Sequence, residues 1–247
     1  MAERAPLVPR DKPPLNGLTE ASVRQGFVQK VFGIFSIQLV TTVVVGGLVM
    51  TYFEPAARKN PTAVQLLLSA SMIIIFGVCC MSCCCPQIMR SYPGNYIVLG
   101  LFTVGEAVLA GVVCLQYTQE SVLIALFITA FVSISLFVFA CQTKYDFSGF
   151  GPYVLSGLMI LIGLSLVLSF ASIFSASGPA FEFARLLIAA VGALFFSVFI
   201  VYDVQLIIGG KHGQEFSIDD YCFAAMSLYL DILNLFINLL ELFGTRR

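Results

Sequence analysis

SLYLDILNLFINLLELFG, residues 227–244, is apolar enough for a membrane helix yet carries Asp231 in its middle. On insertion scales an acid at the centre of a membrane helix costs about 2.5–3.5 kcal/mol. At about 100° per residue, Asp220, Ser227, Asp231, Asn234, Asn238 and Glu241 fall on one narrow face. Leu228, Leu230, Leu233, Leu235, Phe236 and Leu239 cover the rest. Asn and Ser are the usual interhelical hydrogen-bonding groups of membrane bundles. They account for the polar stripe except at Asp231, where a neutral Asn would bond as well at lower cost.

The composition sets the class. The chain has 247 residues, of which 59% are hydrophobic and 11% charged. A soluble domain carries about 25% charged residues. The fold class is therefore an all-α integral membrane protein with one transmembrane domain. The net charge of −1 offers no electrostatic basis for binding nucleic acid.

Apolar runs of about 20 residues mark seven spans, near 32–53, 63–84, 96–117, 122–142, 153–174, 186–208 and 221–243. Gly, Pro and charges break the chain between them. Residues 1–30 read as a polar, disordered tail containing Pro6, Pro9, Pro13 and Pro14, so residues 31–247 form the seven-helix domain. No secretory signal reads at the start, which leaves insertion to the first span. The Lys/Arg bias places the N-terminus in the cytosol. Arg4, Arg10, Lys12, Arg24, Lys30, Arg90, Lys144 and Lys211 then lie inside, against Arg58, Lys59, Arg185, Arg246 and Arg247 outside. No internal repeat suggests a two-halved transporter.

Glu106, Asp203 and Asp231 lie inside spans, where lipid offers no partner, so they face the bundle interior or water. Asp203 and Asp231 fall at similar depth on helices joined by a short loop. Two buried carboxylates in contact cannot both ionise cheaply and would share a proton. Such a pair senses protons and, when ionised, offers oxygen to a hard cation. Two carboxylates fall short of the roughly six to eight oxygens Ca²⁺ prefers, so occupancy would be weak, with Asn234, carbonyls and water completing it. The structural alternative is an ion pair with Arg90. Glu106 is read equally as a protonated, hydrogen-bonded group or as pore lining. Asp219 and Asp220 are read first as helix-capping groups and second as a cation-concentrating mouth. Asn238 extends the stripe, and His212 reads as a solvated loop residue.

The eight cysteines include five in CCMSCCC, Cys79 to Cys85. They read first as small apolar helix residues, second as lipidation sites near the membrane surface, and third, poorly, as zinc ligands.

These residues also carry a resemblance. The closing helix, YDVQLIIGGKHGQEFSIDDYCFAAMSLYLD before it, QTKYDFSGFG (142–151) and LFTVGEA in the third span resemble the transmembrane Bax-inhibitor-motif (lifeguard) family. The third-span segment is most similar to its Golgi anti-apoptotic branch. The resemblance implies six helices around a central one and a Ca²⁺ leak from internal stores that dampens cell death. It also implies a Golgi or endoplasmic reticulum membrane. It makes Asp203 and Asp231 the pH-gating pair, Arg90 a latch onto them, and Asp219 an acidic position opening the last helix. Ca²⁺ is then the transported ion and no cofactor is expected. The bilayer is the first partner, with other membrane proteins of death or Ca²⁺ signalling beside it.

Two other classes compete with the leak channel. One is a non-conducting interaction protein whose acids are structural. The other is an intramembrane aspartyl protease, which also needs two carboxylates sharing a proton. Leu228, Tyr229 and Leu230 stand before Asp231 where such proteases carry glycines that admit an extended substrate.

Overall fold

The computed structural model describes residues 17–54, 60–85, 87–173, 178–209 and 216–247. Arg58, Lys59, Lys211 and His212, placed by the sequence in loops, lie outside these residues. Among the described residues, seven helices are long and apolar enough to cross a membrane. They are α1 (Gly17–Leu48, continued by a wider π turn over Val49–Phe53), α2 (Pro61–Cys84), α3 (Gly94–Cys114) and α4 (Gln119–Gln142). α5 (Gly151–Ile173), α6 (Pro179–Ile208) and α7 (Tyr221–Phe243) complete the set.

Local chemistry sets several boundaries. α2 and α6 open with proline in the first turn, where its missing N–H costs nothing. Gly178, before Pro179, takes a positive φ of 123° that a side chain would resist. The hydroxyl of Thr118 caps α4 by accepting from Ser121 N at 3.3 Å. Inside the spans, hydroxyls bond back to the preceding turn, as Thr42 does to Gln38 O and Thr129 to Ala125 O. Those hydroxyls are then satisfied without water.

α1 begins at Gly17, so the unstructured tail expected to residue 30 is helical from there. Its apolar signal is sparse but periodic. Phe27, Val31 and Phe35, each four residues on, are buried at 5% exposure or less. They hold the polar first turns of α1 against the bundle. α6 likewise starts at Pro179 rather than near 186.

The outer surface is what a membrane requires. Ile37, Val40 and Val44 on α1 are exposed, as are Leu123, Phe127, Phe131 and Ile134 on α4. Leu155, Met159, Ile162 and Leu166 on α5 repeat the pattern. Apolar surface on this scale is stable only in lipid. The protein is a multi-pass integral membrane protein.

The inside is built around α7. Buried residues make up 67% of its apolar stretch against 11% in α2 and in α5. α7 packs most extensively against α6, then against α1 and α4, and more lightly against α3, while α2 leans on α3 and α5 on α6. The expectation of six helices around one is thus refined to four, with two further helices outside them. The leucines of α7 face those neighbours rather than lipid: Leu228, Leu235 and Leu240 are at most 1% exposed. α1 and α3 approach closely, because a Cβ on Gly111 would stand 3.1 Å from Gly46 Cα. Small residues let membrane helices gain van der Waals contact in this way.

Candidate functional site

The polar stripe of α7 faces α6, and its centre is a pair of carboxyls. Asp203 of α6 meets Asp231 and Ser227 of α7 at hydrogen-bonding range. Asp203 and Asp231 are 3% and 6% exposed. A hydrogen bond between two carboxyls requires a proton on one member. The Oδ2 atom of each is buried without a hydrogen-bond partner among the described residues. These two acceptors are what a proton or a passing cation would engage.

Further along the stripe the amides turn inward on their own helix. Asn234 Nδ2 donates to Leu230 O at 2.8 Å, and Asn238 Nδ2 donates to Asn234 O at 2.8 Å. Asn238 packs on the Gly192 backbone of α6. Glu106 of α3 is also buried, at 7% exposure, near Tyr229 of α7. The fully buried Tyr229 shares a 2.8 Å hydrogen bond with Thr42 of α1 and meets the Phe102 ring edge-on. Beside them Gln38 Nε2 donates to Thr103 Oγ1 at 3.0 Å. Among the described residues no group of three or more His, Cys, Asp and Glu converges as a metal site.

Each end of the bundle carries its own charge cluster. At the end where α1 begins, Arg90 grips Asp220 with two bonds, of 2.6 and 3.0 Å, in a surface ion pair. The structure therefore places Arg90 on Asp220 and not on the Asp203–Asp231 pair. Asp220 opens α7 without a side-chain capping bond, because its carboxylate is turned to Arg90. The hydrogen bond and charge of Asp220 raise the guanidinium pKa above its ordinary value. Asp219 lies beside this pair and adds to that field. Arg24 of α1 reaches three backbone carbonyls where α6 ends and α7 approaches. They are Ile208 O at 3.0 Å, Phe216 O at 2.8 Å and Leu206 O at 2.5 Å.

At the opposite end Glu241 closes the stripe. It accepts from Tyr117 and Arg246 and pairs with Arg185, which also meets Glu182 at 3.3 Å. Residues 244–247 are stitched to the α3–α4 turn. Thr118 N bonds Thr245 O at 3.1 Å, and Arg247 N bonds Gln116 O at 2.9 Å. Arg247 pairs with Glu54.

The sequence reading set Asp203 at the depth of Asp231 with Asn234 beside them on the stripe; in the structure the Asn234 amide bonds within its own helix. The reading missed Arg24, the Tyr229–Thr42 contact and the arginines on Glu241. Alternation of the spans already set Arg185 and Arg246 at one end, and Glu241 in the last turn of α7 falls at that same end, which was the available signal for their pairing.

A seven-helix membrane bundle, closed on a central helix that shares a buried carboxyl pair with its neighbour, defines the class. The family described as "Inhibitor of apoptosis-promoting Bax1" matches residues 24–247, and the chain belongs to it. Human "Protein lifeguard 3" is 34% identical over 234 residues, covering 92% of this chain and 71% of the human one. Arabidopsis thaliana "Protein LIFEGUARD 4" is 31% identical, covering 92% and 87% respectively.

Proposed function

We propose that the protein is a pH-sensitive Ca²⁺ leak channel of a Golgi or endoplasmic reticulum membrane, lowering store Ca²⁺ and restraining apoptosis. The observation that carries the reading is the buried Asp203–Asp231 contact with one unpartnered oxygen on each side chain. The family to which the chain belongs is described as an inhibitor of apoptosis-promoting Bax1, which supports the outcome. With the N-terminus in the cytosol, Arg90, Asp219 and Asp220 form the cytosolic mouth and Glu241 the far exit. Protonation holds the two carboxyls together. Loss of the shared proton sets two like charges against each other in a low-dielectric interior, which opens the α6–α7 seam. The freed oxygens, with Ser227, Asn234 and water, then pass Ca²⁺ without holding it. Arg90 acts as a latch by exchanging Asp220 for the ionised pair. Glu106 lines the same interior.

A second reading rests on the closed far end. Glu241 is neutralised by two arginines and covered by residues 244–247. A bundle sealed in that way also suits a non-conducting protein that acts through other membrane proteins. The protease reading fits poorly, because fully buried Leu228 and Tyr229 pack beside Asp231 where an extended substrate would lie.

Ca²⁺ flux into liposomes holding the purified protein, from mildly acidic to mildly alkaline pH, separates these readings. The leak channel gives flux that varies with pH, and Asp203→Asn or Asp231→Asn abolishes that variation. Folded wild-type protein that passes no Ca²⁺ at any pH would establish the interaction reading.

A further inference from the structure

Cys80, Cys84 and Cys85, at the end of α2, find no role in the carboxyl pair or in the packing. Cys80, Cys84 and Cys85 are exposed free thiols, whereas Cys114 and Cys222 are buried. Cys85 follows the last residue of α2 and donates its N–H to Met81 O. Arg90 lies five positions beyond it, already in a surface ion pair. The thiols therefore sit at the boundary between lipid and water, at the end of the bundle where α1 begins.

Their direction is equally specific. At about 100° per residue Leu66, Ile73, Cys80 and Cys84 share one face of α2, with Phe76 at its edge. Leu66, Ile73 and Phe76 are 66%, 72% and 71% exposed. The opposite face, with Ser71 and Val78, is buried, and α2 packs extensively on α3 alone. Cys84 to Ile73 is a run of roughly 16 Å down an apolar stripe, comparable with the length of a long acyl chain.

We propose that Cys80, Cys84 and Cys85 form an S-acylation site, with the chains attached to Cys80 and Cys84 lying along this face of α2. The acyl donor is a long-chain acyl-CoA thioester. The cysteine thiolate attacks the thioester carbonyl carbon, a new carbon–sulfur bond forms at Sγ, and the bond to coenzyme A breaks. The proton lost by the cysteine ends on the coenzyme A thiol, with no net oxidation. The modification anchors an outer helix that has a single packing partner. It rests on the cytosolic placement of this end of the bundle, where acyl-CoA is available. Labelling exposed Cys141, at the same end on α4, with an impermeant maleimide tests that placement separately.

The test is acyl exchange on the full chain expressed in eukaryotic cells. Hydroxylamine cleaves thioesters, and a polyethylene-glycol maleimide then adds a countable mass to each freed thiol. Wild type shows hydroxylamine-dependent mass steps. The Cys80→Ser/Cys84→Ser/Cys85→Ser variant loses them and Cys141→Ser keeps them. Mass spectrometry of the purified wild type independently finds the acyl adduct on peptide 79–85. No hydroxylamine-dependent step on wild type, or steps unchanged in the triple variant, overturns the proposal.

Discussion

The carboxamide of Asn238 occupies the space beside the Gly192 backbone: a Cβ built on Gly192 would come 2.8 Å from Asn238 Cγ. α6 and α7 can share a seam at this level because one residue has no side chain and the other fills the gap. Gly192→Ala forces the seam apart and costs about 1–3 kcal/mol, the usual range for overpacking. Asn238→Ala removes the obstacle, so the double variant recovers part of that loss. Thermal unfolding in detergent of the two single variants and the double one measures the coupling. Strictly additive losses would mean that the two residues do not oppose each other.

Arg24 reaches into the α6–α7 junction with a planar group that serves three carbonyls. A cation at a helix C-terminus also meets the negative end of the helix dipole. Arg24→Ala leaves those part-buried carbonyls short of a donor and costs about 1–3 kcal/mol. Arg24→Lys retains charge but cannot fan out over three acceptors, so it falls between. Faster hydrogen exchange in the last turn of α6 reports the change; unaltered exchange in both variants contradicts it.

Glu241 and Asp220 make opposite predictions although each is an acid paired with arginine. Asp220 meets one arginine, which is 39% exposed, whereas Glu241, as buried as Asp220 at 18% against 19% exposure, engages two arginines and a tyrosine. Asp220→Asn therefore changes stability by about 1 kcal/mol or less. Glu241→Gln strands two arginines and a tyrosine and costs about 1–3 kcal/mol. Melting temperatures of the two variants check the ranking.

Tyr117 adds an alkaline signature to the same cluster. Burial, then the hydrogen bond and charge of Glu241, raise its pKa above the ordinary value. A raised folded value means that the folded state holds the proton more tightly. The associated stability is complete below the unfolded phenol's pKa of about 10, and is lost as pH rises through the raised folded value. Tyr117→Phe removes this component, so the variant loses less stability than wild type between neutral and strongly alkaline pH. Parallel pH profiles for the two proteins would refute the assignment.

Seven apolar runs made the number of helices legible, because hydropathy over about 20 residues is a signal that tertiary packing does not override. The first turns of α1 escaped for the opposite reason. Residues 17–30 are too polar to read as a span, and only the four-residue spacing of Phe27, Val31 and Phe35 marks the face that the bundle buries. The stripe of α7 was legible from spacing, and Asp203 from its matching depth on the adjoining helix, but the partners of the remaining charged groups were not. Which helix an acid faces depends on packing between segments far apart in sequence, so Arg90 was matched to the aspartate pair by family likeness while the fold sets it on Asp220. Burial of both faces of α7 was hidden as well, since leucines facing protein and leucines facing lipid look alike in sequence.

The place of α7 has a consequence for how the chain is made. Its neighbours α1, α3, α4 and α6 all precede it in the sequence, so they leave the ribosome and enter the bilayer before the helix they pack around. Until it arrives, α6 carries Asp203 into lipid without the carboxyl it faces, and α1 carries Thr42 without Tyr229. Assembly is thus withheld until the final span is synthesised. A chain interrupted before residue 221 is a ring of helices with no axis, displaying inside the membrane the very groups by which a cell can recognise an unfinished protein.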